Sequence, residues 1–278
     1  MLDAIAAETR KLAGHRKAVW TILAALPVML AGAFCVYLVW EFVRTDAEIP
    51  KPQTAAAWAQ ETLGVWRLAQ GPFGWFLAAG LAAVAVGGEY GWNTLKLVVP
   101  HRARTQLLLA KYPVVMAGFA VSFAVFGVVA VLTQVVDSAV NGPPVPDGVD
   151  VGALIASQGR MWVFALLTTV LVTAYGALAS VVTRSTAAGA IVTIVLMTAQ
   201  ALFGFRLLLL NPQIYRFSPP YLLDNLGAWL RSGEALSVPV PGGAAIADPW
   251  ALSLAALAAW IAGLVALAVV VFRRQDFN

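Results

Sequence analysis

Along this chain, nearly unbroken apolar runs alternate with short polar segments. Six runs approach or exceed the roughly 18–20 residues that a helix needs to cross a bilayer. They cover residues 18–40, 72–88, 114–136, 161–182, 187–205 and 251–272, and none holds an Asp, Glu, Lys, Arg or His. The second is the shortest and relies on its flanks. Membrane-spanning strands would alternate polar and apolar residues in segments of about ten, and these runs do not alternate. The pattern predicts an all-α integral membrane protein with six transmembrane helices.

The segments between the runs differ in kind. Residues 1–17 read as an amphipathic helix, with Leu2, Ile5, Ala6 and Leu12 on one face, and Glu8, Arg10 and Lys11 elsewhere. Such a helix lies in the headgroup plane; a basic flank that only fixes topology gives the same pattern. In 41–71, Trp58, Thr62, Val65 and Trp66 share a helical face suited to the interface. Residues 137–158 contain NGPPVPDGVD, a turn-rich loop with no packing face. In 206–250, SPPYLLDNLGAWLR places Ser218 as an N-cap and prolines in the first turn. Leu222, Leu223, Leu226 and Leu230 follow at helical spacing. Tyr221 and Trp229 suit a membrane surface, so a short interfacial helix is expected before the sixth span.

Composition sharpens this. Only 12% of residues are charged, about half the usual share for a soluble domain. An even number of spans puts both ends on one side, and basic residues mark the inner side. With the ends inside, that side holds eleven basic and four acidic residues, against seven and ten outside. The asymmetry predicts cytoplasmic termini in a plasma membrane, and it accounts for the net charge of +4 through anionic lipid rather than nucleic acid. The single cysteine, Cys35, excludes an internal disulfide. It stands after Phe34 where lipoprotein processing needs a small residue, so the first span is expected to stay.

The stretch GGEYGWNTLKLVVPHRARTQLLLAKY, residues 87–112, is too long and too polar for a simple turn. Gly87-Gly88 is expected to end the second span, with Glu89 opening a new helix where its charge suits the dipole. Pro100 closes that helix, and Thr105 caps the next. Glu89, Asn93 and Lys96 fall on one stripe, with Trp92, Leu95, Val98 and Val99 opposite. Periodicity leaves two roles open: an interfacial helix with Lys96, Arg102, Arg104 and Lys111 on lipid phosphates, or a protein-docking helix.

This stretch resembles the loop between the second and third spans in permease subunits of type-2 ATP-binding-cassette (ABC) exporters. The matching residues are Glu89-Tyr90, Thr94-Leu95-Lys96, Pro100, Arg102 with Arg104, and Ala110-Lys111. AETRKLAGHR resembles the family's N-terminal helix through Glu8, Lys11, Leu12 and Arg16, and FRRQDF its basic end through Phe272, Arg273, Arg274 and Asp276. Asn93 departs from the small residue more usual there. The resemblance implies a cytoplasmic coupling helix after the second span and a dimer of identical or related permeases. It also implies a separate P-loop ATPase docked on this loop and on the shorter 183–188 loop. The docking residues it implies are Glu89, Tyr90, Asn93, Thr94, Lys96, Arg102, Arg104 and Arg184, with Gln200 and Thr193 lining the pathway.

No G-x-x-x-x-G-K-[ST] sequence occurs, so ATP and Mg belong to the partner and no cofactor is expected here. His15, His101 and Cys35 are too scattered for a metal site. Charge-free span cores argue against a proton-coupled carrier. Two other functions fit the same residues: an ATPase-regulated membrane scaffold, and a channel or carrier acting alone.

Overall fold

The computed structural model describes residues 1–14, 16–43, 53–91, 103–140, 142, 144–240 and 243–275. The described residues form α1 (Leu2–Gly14), α2 (Arg16–Val43), α3 (Ala55–Gly64), α4 (Trp66–Gln70), α5 (Pro72–Gly91) and α6 (Arg104–Val140). Then follow α7 (Val151–Thr183), α8 (Thr186–Leu210), α9 (Pro212–Tyr215), α10 (Pro219–Ser232) and α11 (Trp250–Arg274). Six of these, α2, α5, α6, α7, α8 and α11, are long and apolar enough to cross a membrane. The protein is an all-α, multi-pass membrane protein.

The second span, α5, packs mainly against α7 and α8, with α11 behind α7. The first and third spans pair beside them. Small residues permit the close approach, as is usual where helices meet in lipid. A Cβ on Gly87 would lie 2.8 Å from Thr186 Cα and 2.9 Å from its backbone N. A Cβ on Gly176 would meet the Ala82 methyl at 2.8 Å. The first and third spans are joined differently. Pro27 has no N–H, so in an α-helix the Leu23 carbonyl four residues earlier loses its donor. The Ser122 hydroxyl of α6 donates to that carbonyl instead, at 2.5 Å.

Several boundaries differ from the sequence expectation. Gly87-Gly88 does not end the second span; α5 continues through Gly91. Gly87 is there for the contact with Thr186, not for a left-handed turn. The third and fourth spans, α6 and α7, also overrun 137–158, leaving only the stretch between Val140 and Val151 as a connection. At 1.5 Å per residue, 37- and 33-residue helices are about 55 and 50 Å long, well beyond a ~30 Å hydrocarbon core. Their protruding ends receive α3 and α4. Trp58 Nε1 donates to Ser138 Oγ at 3.0 Å, and Trp66 Nε1 to Gln158 Oε1 at 2.5 Å. Trp58 and Trp66 are therefore buried against other helices rather than facing an interface.

Ser218 occupies the N-cap position of α10 but its hydroxyl makes no capping hydrogen bond, and Leu222, Leu223 and Leu226 are buried. Tyr221 is also fully buried, not at a surface. Asn225 fastens the following loop. Its Nδ2 donates to Asp248 O and Ser253 Oγ, and its Oδ1 accepts from Leu236 N at 2.7 Å. Arg216 pairs with the buried Asp248 carboxylate.

Candidate functional site: the face bearing α1

The face of the bundle that carries α1 and the end of α11 concentrates the charged residues singled out above. On α1 the buried stripe is Ala4, Glu8 and Leu12. Leu2 is exposed and Ile5 half-buried, so the expected apolar face is rotated, and a carboxylate sits in its middle. Glu8 tolerates this because it is paired. Lys11 Nζ lies 2.8 Å from Glu8 Oε1 and 2.7 Å from Glu89 Oε1. Lys111 Nζ lies 2.9 Å from Glu8 Oε2 and 3.0 Å from Glu89 Oε1. Two acids and two lysines thus alternate around a neutral quartet that joins α1, the end of α5 and the start of α6. Glu8, Glu89 and Lys111 are buried, and Lys11 forms the outer edge.

Burial pushes the Glu8 carboxyl up, but Lys111 and Lys11 outweigh it and hold the group below its ordinary value of 4.5. Burial likewise pulls Lys11 down, and its hydrogen bonds to Glu8 and Glu89 hold it above 10.5. A carboxyl lowered on folding contributes stability above its unfolded value, lost as pH falls through the folded one. A raised lysine contributes below its unfolded value, lost as pH rises through the folded one. Through Glu8 and Lys11, α1 should therefore be held from about pH 5 to 10, and the Glu8 contribution should be lost progressively below about pH 4.5. A fluorescent label on exposed Arg10, replaced by cysteine in a chain lacking Cys35, should report that loss. Glu8→Gln should flatten the acid profile; an unchanged profile would remove Glu8 from the account.

A second group of contacts gathers around Gln275. Its Oε1 accepts from Tyr90 OH at 2.7 Å, and its Nε2 donates to Val181 O at 2.7 Å. Arg104 donates to the carbonyls of Arg273 and Gln275 at 2.7 and 2.6 Å, and Tyr90 meets Phe272 edge-on. Arg184 ends α7 in the left-handed region, with φ 54° and ψ 29°, and its side chain is exposed. Ser185 then caps α8 by accepting from Ala188 N. Since Gly87 abuts Thr186, the end of the second span and the loop after the fourth are neighbours. Glu89, Tyr90, Arg104 and Arg184 thus share one face. Asn93, Thr94, Lys96 and Arg102 lie outside the described residues.

A family model described as ABC-2 family transporter protein matches residues 4–200. The chain belongs to the ABC-2 transporter family. A comparison with curated proteins finds no match. The family match runs from α1 through most of the fifth span, so it takes in the quartet, Arg184 and Gln200. Within this family the chain is a membrane permease component of an ABC transporter.

The two residues that the resemblance implied for the pathway separate. Thr193 is fully buried, donates to Gly189 O of its own helix, and packs near Gly176. Gln200 lines a cavity of about 480 Å³ between spans two, four and five and α10. This cavity is at the opposite end from α1, beside the connections that follow spans one and five. Gln200 Nε2 donates to Tyr175 OH at 2.6 Å, while its Oε1 is buried without a partner.

Sequence reasoning missed Gln275 altogether, because a lone amide after a last span carries no pattern. The quartet left a faint signal. The basic face has only four acids, and two of them lie near lysines in segments with the family resemblance.

Proposed function

We propose that this ABC-2 permease forms the membrane pathway of an exporter, working as a dimer with a cytosolic P-loop ATPase. The ATPase binds ATP and Mg and docks on the face bearing α1, which faces the cytoplasm of a plasma membrane. What carries the reading is that face itself. The end of the second span and the 183–188 loop touch there, and α1 and the end of the sixth span are tied to them by charge and hydrogen bonds. A push from a docked ATPase on 89–112 thus reaches four elements together. Glu89 belongs to this scheme as a positioning residue, since its carboxylate is turned to Lys11 and Lys111. Arg184, exposed and held at a turn, is the better direct contact. Gln200 lines the pathway at the far end.

Arg184→Gly tests this cleanly. Glycine takes the left-handed conformation at no steric cost, so the fold should be retained or slightly stabilised. Loss of a charge-assisted contact worth about 1.5–3 kcal/mol should lower co-purified ATPase per permease by about tenfold or more. ATP-dependent transport in vesicles should fall with it. Wild-type values of both would sink the docking role of this loop.

A further inference from the structure

The cavity at the end opposite α1 has chemistry that the coupling scheme does not use. Its size falls in the ~300–1,000 Å³ range of ligand sites. Phe164, Met197 and Leu208 give it an apolar wall. Two polar atoms in its lining have no hydrogen-bond partner: Gln200 Oε1, an acceptor, and Trp75 Nε1–H, a donor. Buried groups of this kind are normally satisfied, and each exception calls for a cause. Tyr175 orients the Gln200 amide by accepting from its Nε2, so the free oxygen is fixed rather than averaged over rotamers.

The polar rim is basic. Arg67, before the second span, and Arg231, in the last turn of α10, both line the cavity and are exposed. Among the described residues, Arg67 makes no side-chain hydrogen bond or ion pair. One carboxylate, Asp224, joins them. Asp224 is exposed beside them and interacts with Arg231. Two guanidiniums against one carboxylate leave the rim net positive, above an apolar wall with one free acceptor and one free donor. We propose that this cavity binds an anionic amphiphile. Its phosphate or carboxylate head sits between Arg67 and Arg231, its linker hydroxyl or amide donates to Gln200 Oε1, and its linker carbonyl accepts from Trp75 Nε1. Its single apolar chain lies along Phe164, Met197 and Leu208. A second apolar groove shares Gln200, Gly204, Pro219 and Pro220 with the cavity and continues along the fifth span towards Trp260. It gives that chain a sideways route from the surrounding hydrocarbon.

As a statement about substrate this inference rests on the permease reading, but the binding itself needs no ATPase. The purified full chain in detergent is titrated with oleoyl lysophosphatidate, monooleoylglycerol and inorganic phosphate, with bound molecules counted by native mass spectrometry. One lysophosphatidate per chain is expected, with monooleoylglycerol at least about tenfold weaker and phosphate alone weaker still. Arg67→Gln with Arg231→Gln should lose about tenfold for lysophosphatidate and little for monooleoylglycerol. Both arginines are exposed, so the fold is kept; gel filtration and thermal melting check it. Gln200→Leu should weaken both lipids, since both carry the linker hydroxyl. Equal affinity for the two lipids, full competition by phosphate, or an arginine pair without effect would each overturn the proposal. Binding lost while ATP-driven transport of other cargo persists would leave the permease reading standing. Binding as expected with no ATPase-linked transport would do the reverse.

Discussion

Lys111→Met should destabilise the protein by about 3–5 kcal/mol, the cost of breaking a buried ion pair by removing one partner. Lys111 is 3% exposed and bridges carboxylates on two different helices, Glu8 at 2.9 Å and Glu89 at 3.0 Å. Without it, Glu8 and Glu89 lose the buried cation they share, and the Lys11 that still joins them is 38% exposed at its side chain. That favours uptake of a proton or movement of α1 away from the bundle. Adding Glu8→Gln restores the charge balance, leaving Lys11 with Glu89. The double variant should recover roughly 1–3 kcal/mol relative to the sum of the singles. Thermal unfolding of the purified chain measures all three. Should Lys111→Met melt within about 0.5 kcal/mol of wild type, as an ordinary surface change would, the quartet would not hold α1. The effect on function should exceed the effect on yield, because α1 is tied to the segment on which the ATPase is proposed to act.

Trp66→Ala should cost a comparable amount, about 3–5 kcal/mol, at the other end of the molecule. Trp66 is 1% exposed and meets Phe123 and Phe126 edge-on at 6.3 and 5.3 Å between ring centres. A Cβ on Gly127 would come within 3.1 Å of the indole, so the ring fills its slot. Its N–H also donates to Gln158 on the fourth span. Trp66→Phe separates these terms. It keeps most of the volume but leaves Gln158 Oε1 without that donor, for a loss of about 1–3 kcal/mol. Melting of both variants, with protease access to residues 53–71, checks the order. A Trp66→Ala chain as stable and as resistant as wild type would show that α3 and α4 are not anchored through this ring.

The six spans were legible because each is a long run without charge, and that demand is set by the bilayer rather than by tertiary packing. Helix ends were not, because a run of hydropathy stops where polar residues begin. Asp137 and Ser138 read as loop, yet the helix continues through them once Trp58 supplies a partner for the Ser138 hydroxyl. Gly87 read as a terminator because a glycine's conformational freedom is visible in one sequence, whereas its closeness to Thr186 is not. Glu89 read as the opening of a new helix for a related reason. Its partners Lys11 and Lys111 lie 78 residues before it and 22 after it, and only the fold brings them together. The family resemblance implies Glu89 as a docking residue, whereas its carboxylate is turned to Lys11 and Lys111.

Gln275 ties the sixth span to Tyr90, Val181 and Arg104, and this sets an order of assembly. Those three partners are synthesised well before it, on helices that enter the membrane while the rest of the chain is still being made. Their shared hydrogen bonds close only after the last span has been inserted and Gln275 has left the ribosome. Until then Tyr90 and the Val181 carbonyl lack the group that joins them. For an ATPase docking on this face, as proposed, the platform is assembled only once Gln275 is in place.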